Sequence, residues 1–517
     1  MSTNAIPNSL SASAFINETV SRNTLIHVEN GRAGYKTTGS KCLDMFSVLS
    51  RGSPEAKVTQ MFKDAYAENP ELALKVMMNY RDRHGKQEKD IPRIMMKVLK
   101  DKCPSTYMAN LLLFLENGYL KDLLVLSTET ECIRRQCKRN IAKGIEAKVF
   151  AALLKADREA LKKNEPISLA GKWAPRQQGK YSDMALEIAS AMHDSNNVKE
   201  RNNQTKLKMY RKEYCSPLNA KLNTLERNLS AKNYDAIKME HIPATALKKT
   251  KKALAQQMPE KYREFLDRCK TGKVQMKTTG VQPHELVDDI MGGDATAEIQ
   301  LNKIIDNLKT TGMFNDTLPL CDVSGSMAGV PMQVSVMLGY IVSQLQSNEF
   351  KDKVITFSQS PELVEINGRT TADKLRCLKN ISWGMNTDFV KAFRMLLNVA
   401  KHSRIRDENM VKRIIVFTDM QFDQANHANQ PYETAHVEIS RMYEQAGLTL
   451  PQIVYWNLRD SVVSIPVKSD KPGVALMNGF SREMLKIFME CGDVTPYDIM
   501  MKAVDKYSVV NLGEQMA

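Results

Sequence analysis

In residues 70–126 apolar positions recur at helical spacing, in short segments that polar or helix-breaking stretches close. Within 70–80 the residues Leu72, Leu74, Val76, Met77 and Tyr80 outline one stripe, which ends in the polar run 82–90. Ile94, Met95, Val98 and Leu99 repeat the pattern, followed by 108–115 and, beyond the Asn117-Gly118 break, by 120–126. Strand alternation is hard to find before about residue 280. The pattern therefore predicts an all-α, HEAT-like body of helical repeats with short connections, although no fixed sequence period emerges.

The second half changes character. Residues 318–323 (LPLCDV), 353–357 (KVITF), 413–418 (RIIVFT) and 452–456 (QIVYW) are short apolar or β-rich runs, the first weakened by Pro319. Helical patterns at 332–345, 387–400 and 434–445 separate them. Such alternation predicts an α/β, doubly wound, Rossmann-like domain with a parallel sheet covered on both faces. Ligands of such sheets bind beyond the carboxyl ends of the strands, so the residues just after these runs matter most.

Length and composition sharpen this division. With 517 residues, 43% hydrophobic and 26% charged, the chain is a multidomain globular protein. We read a flexible polar leader at 1–25, a helical domain at 26–300 and an α/β domain at 301–517. The richest apolar stretch, 111–126, is broken by Glu116, Lys121 and Asp122, which argues against a membrane span or membrane partner. The first residues lack the basic and apolar regions of a secretory signal, so a cytoplasmic location is expected. Nine cysteines, an odd number without a CxxC pair, read as reduced thiols. Up to Gly280 there are 50 Lys and Arg against 30 Asp and Glu, a net of +20; the remainder carries 23 against 29, a net of −6. The first half suits a polyanion and the second does not.

Candidate chemistry gathers at the predicted strand ends. The first strand runs into Asp322-Val323-Ser324-Gly325-Ser326, the third ends in Thr418-Asp419, and Thr387 lies in a loop between them. Two carboxylates and three hydroxyls are hard oxygen donors of the kind Mg²⁺ or Mn²⁺ takes, and hydroxyls leave the ion able to attract a further anion. Catalytic alternatives fit poorly. A hydrolase elbow needs Gly-x-Ser-x-Gly, which neither Ser324 nor Ser326 provides, and an aspartate-nucleophile phosphatase would want a second Asp at the place of Ser324. No enzyme activity is expected. The constellation resembles the metal-ion-dependent adhesion site (MIDAS) of a von Willebrand factor A domain, over about residues 315–510. That resemblance implies direct coordination by Ser324 and Ser326. It gives Thr387 a direct or water-mediated role, has Asp322 and Asp419 act mainly through water, and leaves a sixth position for a partner's acidic group.

In the basic half, Lys and Arg cluster at Arg134, Arg135, Lys138 and Arg139, at Lys172, Arg176 and Lys180, at Arg201, Lys206, Lys208, Arg211 and Lys212, and at Lys248, Lys249, Lys251 and Lys252. Trp173, Tyr181, Tyr210 and Tyr214 accompany several of them. Such clusters supply phosphate contacts and stacking faces for RNA, while each alone is also compatible with a solvated helix face over core aromatics. Three further stretches are distinctive: residues 29–35 (ENGRAGY) with Thr37-Thr38-Gly39-Ser40 and Leu43-Asp44-Met45-Phe46; Tyr80-Arg81-Asp82-Arg83-His84-Gly85; and Gly118-Tyr119-Leu120-Lys121-Asp122-Leu123. With residues 169–175 (LAGKWAP) they resemble the Ro autoantigen (TROVE) family, and more nearly its uncharacterised viral and other relatives. The resemblance implies a ring of helical repeats that binds single-stranded or structured noncoding RNA, and an acidic ligand at the metal site, as in a ribonucleoprotein component. A metal-dependent assembly scaffold without RNA function, possible for a viral protein, is the alternative.

Overall fold

A computed structural model describes residues 25–27, 33–128, 144–192, 202–310, 314, 316–322, 324–346, 350–356, 361–381, 389–420, 435–460, 465–489 and 495–516. The chain forms a mostly helical part and a part built on a mixed six-stranded sheet. Neither is continuous in sequence. One compact unit comprises 53–281, 295–303 and 504–517, and the other 1–52, 282–294 and 304–503. The chain passes between the two units after residue 52, within 282–303 and after residue 503.

In the helical unit each predicted stripe becomes a helix. Pro70–Arg81 starts where Asn69 accepts the Leu72 N–H at 3.0 Å, with Pro70 at the first turn, where a missing N–H costs nothing. Asp90–Lys102, Pro104–Asn117 and Lys121–Leu126 follow, then Ile145–Lys162 and Ser182–Met192. Contacts are local: Asp90–Lys102 packs on Pro104–Asn117 and Lys121–Leu126, and Ser182–Met192 on Ile145–Lys162. A smaller core around Leu247, Leu254, Phe265 and Met276 closes this part of the chain.

Two of the distinctive stretches meet here. Arg81 Nε donates to Asp122 Oδ2 at 2.7 Å, Arg93 Nη2 donates to Oδ1 at 2.7 Å, and the Tyr119 N–H adds a third donor at 3.1 Å. Gly118 is required by this packing, because a β-carbon would lie 2.7 Å from Asp122 Oδ2 and 2.9 Å from Arg81 Nε. The neighbouring Asp82 accepts the His84 N–H at 2.8 Å and, at 2.6 Å each, Lys506 Nζ and the Tyr507 hydroxyl, which anchors residues 504–516. Glu514 ends that strap over the Pro104–Asn117 helix, accepting the Ser105 and Thr106 N–H groups at 3.2 and 2.7 Å.

The sheet unit begins with a short antiparallel pair, β1 (Leu25–His27) and β2 (Ala33–Tyr35), in a region where the sequence pattern shows no strand. Three-residue strands are too short for a legible alternation. Asp44 fixes the following turn by accepting the Thr38 N–H at 2.7 Å and the hydroxyls of Thr38 and Thr37, and Ser40 caps the helix Lys41–Val48. The main sheet contains β3 (Thr317–Cys321), β4 (Lys353–Thr356), β5 (Leu363–Glu365), β6 (Arg413–Thr418), β7 (Gln452–Asn457) and β8 (Val474–Asn478) in the order β5-β4-β3-β6-β7-β8. All pairings are parallel except β4 with β5, so the expected all-parallel sheet has one antiparallel edge strand. Pro319 is tolerated in β3 because β4 joins only at Leu320 and Cys321, and on that side the proline precedes the ladder. Val330–Gln344, Thr371–Asn380, Phe389–His402 and Ala435–Ala446 are its principal helices. Among the described residues no helix is long and apolar enough to cross a membrane.

Candidate metal centre

The register of the sheet places a row of polar residues at one level of its carboxyl edge. Cys321 pairs with Phe417, so Asp322 lies level with Thr418, which pairs with Asn457, which pairs with Asn478. All four are fully buried, as is Asp419. Strand-terminal apolar runs such as RIIVF and QIVYW drive the sheet inward, and their last polar residues are carried in with it.

The row divides into two halves with different partners. Over β7 and β8, Asn457 Nδ2 donates to the Ser47 and Val48 carbonyls at 3.5 and 3.2 Å, and Asn478 Nδ2 donates to that of Leu49. The end of the Lys41–Val48 helix thus covers that half. The sequence reading missed both asparagines, although each stands as the only polar residue closing an apolar run.

Over β3 and β6 the side chains face one another instead. The Ser324 N–H donates to Asp322 Oδ1 at 2.9 Å, and Thr418 donates its hydroxyl to Asp322 Oδ2 at 3.0 Å while accepting the Met420 N–H at 3.1 Å. Ser324 and Ser326 hydroxyls lie 2.8 Å apart across a single turn, Gly325–Met327, that leads to the Val330–Gln344 helix. Met420 turns the chain just after Asp419 with φ +66°, a left-handed conformation that costs a residue bearing a β-carbon roughly 1–2 kcal/mol. Burial and the charge of Asp419 push the Asp322 carboxyl up to about 7, against the hydrogen bonds from Ser324 and Thr418.

These residues fit a hard divalent cation: two buried carboxylates whose charges oppose each other, with two hydroxyl oxygens beside them. Among the described residues no three His, Cys, Asp or Glu side chains gather, so the fit rests on this mixed set. Ser324 is buried and Ser326 half-exposed, which leaves approach from the serine side. Of the five predicted ligands the structure brings Asp322, Ser324, Ser326 and Asp419 together, and Thr387 lies outside the described residues.

The basic candidates disperse. Arg134, Arg135, Lys138 and Arg139 lie outside the described residues. Lys172 is engaged by Glu226 at 2.9 Å, beside a half-exposed Trp173, and Arg176 is exposed. On the helix Asn203–Met209 and the turn after it, Lys208 and Arg211 are exposed and Lys206 half-buried. On the helix Ala244–Gln257, Lys249 and Lys252 face solvent and Lys248 is half-buried, but Lys251 lies on the buried face with Leu247 and Leu254. Lys251 is therefore a core residue, since a run of adjacent lysines wraps around a helix. Tyr210, buried with its hydroxyl on the Pro175 carbonyl at 3.0 Å, is likewise a packing residue.

Family models divide the chain between two domains of unknown function: DUF2828 matches residues 28–145 and 139–314, and DUF7788 matches 316–514. The chain belongs to the DUF2828 family. The uncharacterized protein L728 of Acanthamoeba polyphaga mimivirus is similar to it, at 31% identity over 512 residues that cover 93% of this chain and 88% of that protein. In this DUF2828 protein the second family region, 316–514, holds the described metal-site candidates, and the first holds the basic helices.

Proposed function

We propose that this protein is an RNA-binding ribonucleoprotein component of Ro-like (TROVE) plan, with a HEAT-like helical unit for RNA and a von Willebrand A-like unit for an acidic ligand. The observation that carries the proposal is the meeting of Asp322, Asp419, Ser324 and Ser326 at the carboxyl ends of adjacent parallel strands. The strand order and its antiparallel edge strand support the von Willebrand A-like reading, and the net of +20 before residue 281 supports the polyanion reading. A bound Mg²⁺ or Mn²⁺ would supply a local positive charge for a carboxylate or phosphate. Around it, Thr418 and the Ser324 N–H orient Asp322, and the β3 and β6 backbones hold the two carboxylates in register.

One metal site cannot supply the many phosphate contacts that nucleic-acid affinity needs. Ser324→Ala with Ser326→Ala in the full chain should thus leave RNA affinity within about threefold, less than roughly 1 kcal/mol. The same variant should lose metal-dependent retention of a carboxylate-bearing partner. Filter binding beside a pull-down with and without chelator checks both. No RNA binding at low salt would overturn the RNA half of the proposal, and unchanged metal-dependent retention the other half.

A further inference from the structure

Two stretches of the helical unit that are far apart in sequence meet at a basic, aromatic surface. Arg93, on Asp90–Lys102, is tied to Asp122, whose neighbour Lys121 is exposed and holds its ammonium 5.7 Å from the centre of the Trp173 ring. Further along the stretch that carries Trp173, Lys180 is exposed and stands 5.5 Å from the ring of Tyr181. Lys97, one turn beyond Arg93, is half-buried and donates its ammonium to the Thr128 hydroxyl at 3.5 Å. Trp173 and Tyr181 are half-exposed. Lys172, whose ammonium lies 5.9 Å from the same indole, is held by Glu226 and so braces the ring rather than offering a free charge. Of this surface the sequence clusters contained only the part from Lys172 to Tyr181. Lys121 arrives from a helix that carries no basic run.

We infer that Trp173 and Tyr181, with Lys121 and Lys180, form a binding surface for single-stranded nucleic acid. The inference rests on the RNA reading above and gives it a location. A single strand presents one flat base and one phosphate per nucleotide, and this surface presents an aromatic ring beside an ammonium twice over. Base stacking on aromatic faces with phosphates on lysines is the sequence-tolerant mode of single-strand recognition. An acidic peptide would use the lysines but has no planar group for each ring.

The test is a titration of the full chain with fluorescent 20-nucleotide oligo-U and oligo-A at several salt concentrations. Trp173→Ala should weaken both by roughly tenfold with little change in salt slope, and Trp173→Phe should restore most of the loss. Lys121→Gln with Lys180→Gln should lower the slope by about 0.7 for each ammonium removed. Intrinsic fluorescence adds an independent readout, because Trp456 is fully buried and the quenching expected of Trp173 on binding should be lost in Trp173→Phe, which leaves Trp383 and Trp456 in place. If the wild-type chain binds the oligonucleotides and all three variants bind equally well, this location is wrong while the RNA reading stands. No binding by the wild-type chain overturns both. Binding of poly-glutamate, but not of oligonucleotides, that the lysine variant loses would assign the surface to an acidic protein instead.

Discussion

Asp122 in the helical unit and Asp322 at the edge of the sheet are both fully buried carboxylates, yet their surroundings differ in kind. Asp122 is met by two guanidinium groups and a backbone N–H, so its charge is offset within the fold. Glu146 is treated likewise, with Lys100 at 2.7 Å and the Tyr107 hydroxyl at 2.5 Å. Asp322 receives an N–H and a hydroxyl, both neutral, and faces the like charge of Asp419. A buried carboxylate balanced by the protein's own cations is part of the architecture. One placed against another carboxylate at a strand end is, on the proposal above, a place for a cation from outside.

The largest expected effect breaks that comparison directly. Asp122→Ala leaves Arg81 and Arg93 without their shared acceptor and should cost the helical unit about 3–5 kcal/mol. Asp322→Ala, measured in chelator, removes a repulsion as well as two neutral hydrogen bonds and should cost the sheet under about 1 kcal/mol. Urea unfolding of each full-length variant checks the contrast, and equal losses would erase it.

Acid should act on the two regions in opposite directions. At Asp82, burial is outweighed by the His84 N–H, Lys506 and Tyr507, which hold its pKa below the usual range. Its stabilising contribution is present above the unfolded pKa of about 4 and is lost as pH falls through the folded value. Asp322, raised to about 7, binds more protons folded than unfolded. Without metal, its contribution is complete below about pH 4 and lost as pH rises through 7. Hydrogen exchange at pH 5.5 and 8 in chelator should therefore show β3 and β6 better protected at the lower pH, and Asp322→Asn should remove the difference.

The smallest effect concerns the strap of the helical unit. Glu514→Gln keeps the hydrogen bonds but removes the charge at the start of Pro104–Asn117, and should cost about 0.3–1 kcal/mol. The change should speed exchange in 504–516 while β3 and β6 keep their rates.

Much of this architecture is legible because periodicity survives wherever an element is long and one environment surrounds it. The helices at 70–81 and 104–117 and the strands at 413–418 and 452–457 stand out for that reason. The strands β5 and β8 do not, since one has three residues and the other lies in a short apolar run without alternation. Asp-x-Ser-x-Ser can be read locally because its residues share one turn. The meeting of Lys121 with Trp173 cannot, because packing alone unites them. Adjacent lysines mislead in the opposite sense: Lys249 and Lys252 face solvent, whereas Lys251 is turned inward by the helical repeat.

The most direct test of the central claim is regional hydrogen exchange of the metal-stripped full chain at pH 8, before and after addition of millimolar Mn²⁺. An ion bound only by the folded site stabilises the residues that hold it. Protection should rise in 317–322 and 413–420 and stay unchanged in 70–126, where Asp122 and Asp82 already have their cations. An equal rise in both regions, or none at β3 and β6, would contradict the assignment of the Asp322–Asp419 pair to an external ion.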